Sequence, residues 1–99
     1  MKGGTRMPKY IPDMIAGYYL YFTAKCVIEA MHVHAGDANM TPGTSAKLYV
    51  YENGDTKVQR FGCVSPNDMT KIRAYIKNNH KQMYKKWKKY SDNGYYNKR

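Results

Sequence analysis

Acidic residues are the scarcest charged class in this chain. Of 99 residues only 7 are Asp or Glu, against 17 Lys and Arg, which leaves a formal net charge of +10 at neutral pH. Between Met69 and Ser91 there is no acid at all. Acids so few and so scattered exclude a carboxylate nuclease or a paired-carboxylate hydrolase. Cysteine is nearly absent too: Cys26 and Cys63 stand alone, in no CxxC and no metal-ligand spacing. They read as reduced thiols of a cytoplasmic protein, with a single disulfide between them as the alternative. No stretch approaches the roughly 20 apolar residues of a membrane span, and Met1 to Pro12 has no apolar signal-peptide core.

What the chain does hold is tyrosine and lysine. Hydrophobic residues make up 42% and aromatics 14%, and 11 of those aromatics are Tyr. That is too apolar for disorder, and the length suits one domain with one modest core. The aromatic content is amphipathic, each ring carrying a hydroxyl. A strongly basic balance predicts attraction to polyanions, with nucleic acid first.

The order of elements follows from local signals. Met1 to Pro12, with Gly3, Gly4, Pro8, Pro12 and the basic residues Lys2, Arg6 and Lys9, reads as a flexible basic arm. Ile15 to Ala24 is an aromatic and β-branched run that predicts a first strand, and Met31 to Ala35 predicts a second. Gly36 to Ser45 reads as a loop. Ala46–Tyr51 and Thr56–Phe61 predict a hairpin through Asn53-Gly54, where both turn residues are expected at positive φ. Ser65-Pro66-Asn67-Asp68 is a helix start, with a capping side chain, a proline at the first helical position and an early acid. Met69, Ile72, Ile76, Met83, Trp87 and Tyr90 then form one apolar stripe of helical period, interrupted around Asn79 and His80. The result is an α+β domain over residues 13–91: a three- to four-stranded antiparallel sheet with one long C-terminal helix on one face. Residues 92–99 read as a polar tail.

Strand alternation then sorts the side chains. Leu20, Phe22, Met31, Val33, Ala35, Ala46, Leu48 and Val50 face the helix. Tyr19, Tyr21, His32, His34, Lys47, Tyr49 and Tyr51 fall on the opposite, open face, with Lys57 and Gln59 joining from the last strand. His32 and His34, two positions apart, lie roughly 6–7 Å apart along that face. As a general base and general acid they suit metal-independent RNA cleavage, with Lys47, Lys57 or Arg60 holding the phosphate. As metal ligands they need a third partner, for which Asp37, His80 and Cys63 are the candidates, and no zinc motif completes the set. The plain structural alternative is two hydrogen-bonded strand histidines among cross-strand tyrosine pairs. The expectation is therefore no metal and no cofactor. Tyrosines and lysines on an open sheet also suit stacking on single-stranded RNA. On the helix, Lys85, Lys88 and Lys89 flank Trp87 and suit phosphate contacts, or simply a solvated end that favours the helix dipole.

Gly17-Tyr18-Tyr19-Leu20-Tyr21-Phe22, His32-Val33-His34-Ala35, Ala46-Lys47-Leu48-Tyr49-Val50 and the helix from Ser65 to Trp87 resemble, in that order, the small bacterial domain-of-unknown-function family 4160. The resemblance spans about residues 7 to 91 and departs from the family's habit at Ala30-Met31, where a proline usually precedes the first histidine. It implies a toxin–antitoxin-like setting with an acidic cognate protein. The reading reached is a small cytoplasmic RNA-interacting protein, toxin-like, with His32 and His34 as candidate catalytic residues of a metal-independent ribonuclease. Its candidate RNA contacts are Tyr19, Tyr21, Lys47, Tyr49, Tyr51, Lys57, Arg60, Lys85, Lys88 and Lys89. The alternative from another class is a non-enzymatic protein-interaction module, an inhibitor or regulatory subunit, for example from a mobile element.

Overall fold

The computed structural model describes residues 8–23, 29–37, 41 and 43–97. Four strands, β1 (Tyr19–Tyr21), β2 (His32–Gly36), β3 (Ala46–Val50) and β4 (Thr56–Arg60), precede one helix, α1 (Pro66–Lys88). The strands form a single antiparallel sheet in sequence order, so each pairs with its chain neighbour. The α+β class, the four strands and the C-terminal helix agree with the sequence expectation. Residues 1–7 of the basic arm, Ala24 of the first strand run, Cys26 and residues 98–99 of the tail lie outside the described residues.

Helix α1 starts as its sequence requires. Asp68 N–H donates to Ser65 Oγ at 3.2 Å, and Pro66 occupies a first-turn position. Asp68 does not close a capping box. Its carboxylate instead accepts from Tyr18 Oη at 2.9 Å, which ties the helix start to the turn before β1. The helix runs unbroken through Asn79 and His80. Met69, Ile72, Ile76, Met83 and Trp87 are its buried residues. They join Leu20, Phe22, Val33, Ala35, Ala46, Leu48 and Val50 in one core. Tyr90, expected in the same stripe, is 50% exposed, although its ring still meets Phe22 at 5.3 Å.

Two turns differ from expectation in an instructive way. The Ala16-Gly17 pair, placed inside the first strand by its neighbours, is a two-residue turn. Both residues have positive φ (55° and 91°), and Ile15 and Tyr18 exchange backbone hydrogen bonds of 2.7 and 2.9 Å. That is the type I′ geometry expected at Asn53-Gly54. At the β3–β4 connection only Gly54 takes positive φ (92°), while Gly54 N–H donates to Tyr51 O and Tyr51 N–H to Asp55 O. The connection is a type I turn closed by a left-handed glycine, one residue longer than a two-residue hairpin. Asn53 serves through its side chain, accepting from Asp55 N–H at 2.9 Å.

Residues 8–10 and 91–97 are more structured than their composition suggests. Phe22 N–H donates to Pro8 O at 3.0 Å and Tyr10 N–H to Leu20 O at 2.8 Å, so residues 8–10 cover the outer edge of β1. This corrects the flexible-arm reading for those residues. Residues 91–97 fold back on the sheet. Met31 N–H donates to Gly94 O at 2.9 Å, Tyr96 N–H to Val50 O at 2.9 Å, and Trp87 Nε1–H to Asn93 O at 3.1 Å. Those residues of the polar tail are part of the domain.

Candidate functional site

Cross-strand register decides which side chains meet. Tyr21 pairs with His34, His34 with Lys47, and Lys47 with Arg60, so these four form one row across the sheet. His32, Tyr49 and Lys57 form the next. The predicted grouping on the face away from α1 is therefore present. A bulge opposite Lys47 advances the register of β4, and Arg60 rather than Gln59 completes the first row.

That face is closed where it was expected to be open. His32 and Tyr21 have no exposed surface and His34 keeps 5%. All five residues of β2 are buried, on both faces of the sheet. Alternation makes a histidine in the middle of a sheet solvent-facing when a helix covers only the other side. The covering here comes instead from groups that alternation does not see. Glu29, three residues before His32, lies against the face and accepts from Lys47 Nζ at 3.1 Å and from Tyr49 Oη at 3.4 Å. Tyr96 stacks on Tyr49, ring centroids 4.2 Å apart. Tyr21 donates to Ser45 Oγ at 2.6 Å, since Ser45 has given its own proton to Thr41 O at 2.8 Å, and Arg60 Nε–H donates to Ser45 O at 3.1 Å. The openness of Tyr21, His32 and His34 is thus a sequence reading that the structure corrects. Lys57 and Arg60, at the β4 end, are exposed, and Lys47 and Tyr49 are half-buried.

The histidines are packed as interior groups. The His32 ring lies 5.2 Å from that of His34, 5.8 Å from Tyr49 and 5.8 Å from Trp87. His32 Nδ1 donates to Ala30 O at 3.0 Å, because a carbonyl can only accept, which leaves the lone pair on Nε2. That Nε2 is buried and has no hydrogen-bond partner among the described residues. Burial pushes the His34 pKa down to about 4, helped by the neighbouring His32 and by Lys47 and Arg60, and burial lowers that of His32 as well. Burial thus favours the uncharged form of both rings. Burial therefore disfavours the imidazolium form that RNA cleavage by a histidine pair draws on. The Lys47 bond holds the Glu29 carboxyl low. Lys47 itself is pulled down by burial but raised overall by its bond to Glu29 and the charges of Tyr49 and Glu29.

The remaining predicted residues lie apart. Tyr19 is half-buried under Lys9, whose Nζ sits 4.2 Å from the ring centroid. Tyr51 leads into the β3–β4 turn and meets the edge of Tyr96 at 5.4 Å. Lys85, Lys88 and Lys89 are exposed at the far end of α1, on a helix that packs against the other face of the sheet. No group of three or more His, Cys, Asp or Glu among the described residues is placed to hold a metal ion. Cys63 is a free, exposed thiol, and His80 sits on α1 with Nδ1 at 3.0 Å from Lys77 O.

The model of the family "Domain of unknown function (DUF4160)" matches residues 17–88. The chain belongs to that family. The match covers the whole sheet and the helix, and so includes every row described above. No curated protein and no solved structure matches the chain. No helix among the described residues of this DUF4160 chain is long and apolar enough to cross a membrane. Sequence reasoning missed Glu29, Tyr95 and Tyr96. A carboxylate three residues before a histidine, and a tyrosine doublet inside a tail set down as polar, were the signals that pointed to them.

Proposed function

We propose that the protein binds single-stranded RNA through the outer face of α1. The observation that carries this is a ridge of lysines. Lys77, Lys81, Lys85 and Lys88 follow one another at four, four and three residues, all exposed, on a helix with no acid after Asp68. Each four-residue step advances about 6 Å. Like charges at that spacing repel and destabilise a helix by roughly 0.2–0.5 kcal/mol per pair. Among the described residues, only Lys77 of these four is compensated by an ion pair, to Asp55 at 2.8 Å. A polyanion offsets that repulsion and releases its own counterions on binding.

Lys57 and Arg60 are exposed basic groups as well, but they belong to the sheet face away from α1. An unpaired strand suits the ridge better than a duplex because the ridge begins, at Lys77, beside a cleft lined with tyrosines. The reading is of binding and not of cleavage, because the histidine pair is buried. In this reading the protein acts in the bacterial cytoplasm as the RNA-binding, toxin-like member of a pair. An acidic cognate protein would compete for the same lysines.

The test is fluorescence anisotropy with an unpaired RNA between about 50 and 300 mM salt. The expected result is an affinity that falls with salt, by about 0.7 in log–log slope for each phosphate contact. The same RNA should stay intact at neutral pH. Binding that is absent at low salt, or indifferent to salt, overturns the proposal.

A further inference from the structure

The cleft between the β3–β4 turn and the C-terminal segment has a volume of about 640 Å³, room for a nucleoside. Its lining includes Tyr51, Tyr95, Tyr96, Glu52, Asn53 and Asp55. Tyr95 is stacked on Tyr84 at 4.0 Å and Tyr96 on Tyr49 at 4.2 Å, so each ring is held from behind by a second tyrosine. Rings fixed in this way are stacking platforms whose ordering cost is already met in the free protein.

The charges sort the ligands. Two of the seven acids of the chain, Glu52 and Asp55, border this cleft, so a phosphate does not fit it. Asp55 is occupied: it accepts from Lys77 Nζ at 2.8 Å and from Asn53 Nδ2 at 3.1 Å. Glu52 is exposed in the turn and has no hydrogen bond or ion pair among the described residues; its charge helps to raise the Tyr95 pKa, after burial and Tyr84. A small cation would find Lys77 beside Asp55 and Lys57 over the Tyr96 ring at 5.9 Å, on a molecule of net charge +10. The locally balanced charge favours a neutral, flat ligand with hydrogen-bond donors for one carboxylate. Guanine is the base that presents two adjacent donors on its pairing edge, the ring N–H and the exocyclic amino group, and a carboxylate accepts both at once. Adenine and cytosine place an acceptor beside their amino group, and uracil has a single donor between two carbonyls.

We infer that this cleft takes one unpaired guanine of the bound strand, stacked on the tyrosines with its pairing edge on Glu52. The inference rests on the RNA-binding reading. Lys77 joins the two parts, since it starts the lysine ridge and also donates to Asn53 O at 3.1 Å in the cleft wall.

The experiment compares uridine-only RNAs of about ten nucleotides with the same RNAs carrying one central G, A or C, on wild type and E52Q, across a salt series. The single G should raise affinity about tenfold over U, A or C. E52Q should abolish that preference and leave the salt slope unchanged, with an unaltered melting curve because Glu52 is exposed. Equal affinity for all four RNAs with an intact salt slope overturns the cleft inference and leaves RNA binding standing. A G preference that survives in E52Q also overturns it, as does competition by free arginine but not by guanosine. No salt-dependent binding to any of the RNAs overturns both.

Discussion

The histidine face of the sheet and the outer face of α1 carry the same kind of promise in the sequence and opposite outcomes in the fold. Each holds polar, titratable side chains at regular spacing. Around β2 those side chains are sealed between Glu29, Tyr49, Tyr96 and Trp87, and burial disfavours charge on the imidazoles. Along α1 the lysines of the ridge are exposed to water. The difference teaches that spacing locates a group and burial decides its chemistry. A buried imidazole surrenders its proton because low-dielectric surroundings disfavour the charged form. An exposed lysine loses little and stays available to an anion.

Trp87 is where the two regions meet, and removing it tests their separation most severely. Its ring touches His32 and Phe22, and its indole N–H holds Asn93 O. Trp87→Ala should cost about 3–5 kcal/mol in chemical denaturation and release the C-terminal segment. An effect under about 1 kcal/mol would show that the histidine face closes without the helix.

Acid is the next lever. A histidine whose folded pKa is depressed contributes stability that is complete above its unfolded value and is lost as pH falls toward the folded one. For His34 that window runs from the model-peptide value of 6.5 down to about 4. Stability should fall across it by about 3 kcal/mol. His34→Leu should flatten the profile, and a parallel loss in that variant would place the acid sensitivity elsewhere.

The lysine face should respond to salt. K81A/K85A/K88A should lower the log–log salt slope of RNA binding by about 2 and weaken affinity at least tenfold at low salt. Its melting curve should not worsen, since like-charge neighbours are removed. A slope equal to wild type would move the contact to Lys57 and Arg60.

Two backbone changes give the smallest effects. Gly54 sits at φ 92°, and a Cβ there would lie 2.6 Å from His80 Nδ1. Gly54→Ala should cost about 1–2 kcal/mol and disturb the cleft wall. Ala16 already bears such strain at φ 55°. Ala16→Gly should gain less than about 1 kcal/mol, read as a rise in melting temperature, and leave both regions untouched.

Much of this was legible beforehand. The period-two pattern of β3 and the period-3.6 stripe of α1 each name one apolar face, and both faces are in the core. The cap at Ser65 and the chain reversal near Gly54 follow from single residues with few conformational options. The turn at Ala16-Gly17 was not legible, because alanine rarely adopts positive φ and its neighbours read as strand. The bulge that exchanges Gln59 for Arg60 was hidden too, since one extra residue in β4 leaves no mark in composition. The docking of residues 91–97 depends on Met31 N–H, Val50 O and the Tyr49 ring, groups more than forty positions away.

The sequence by itself determined the element order, the two faces of the sheet and the excess of positive charge, because these depend on local periodicity and composition. Only the tertiary structure decided that His32 and His34 are interior groups, that the C-terminal tyrosines build a cleft, and that the ridge of α1 starts at that cleft. Those outcomes come from segments far apart in the chain closing over one another, and solvent exclusion at such contacts is a property of the assembled surface and of no single stretch of residues.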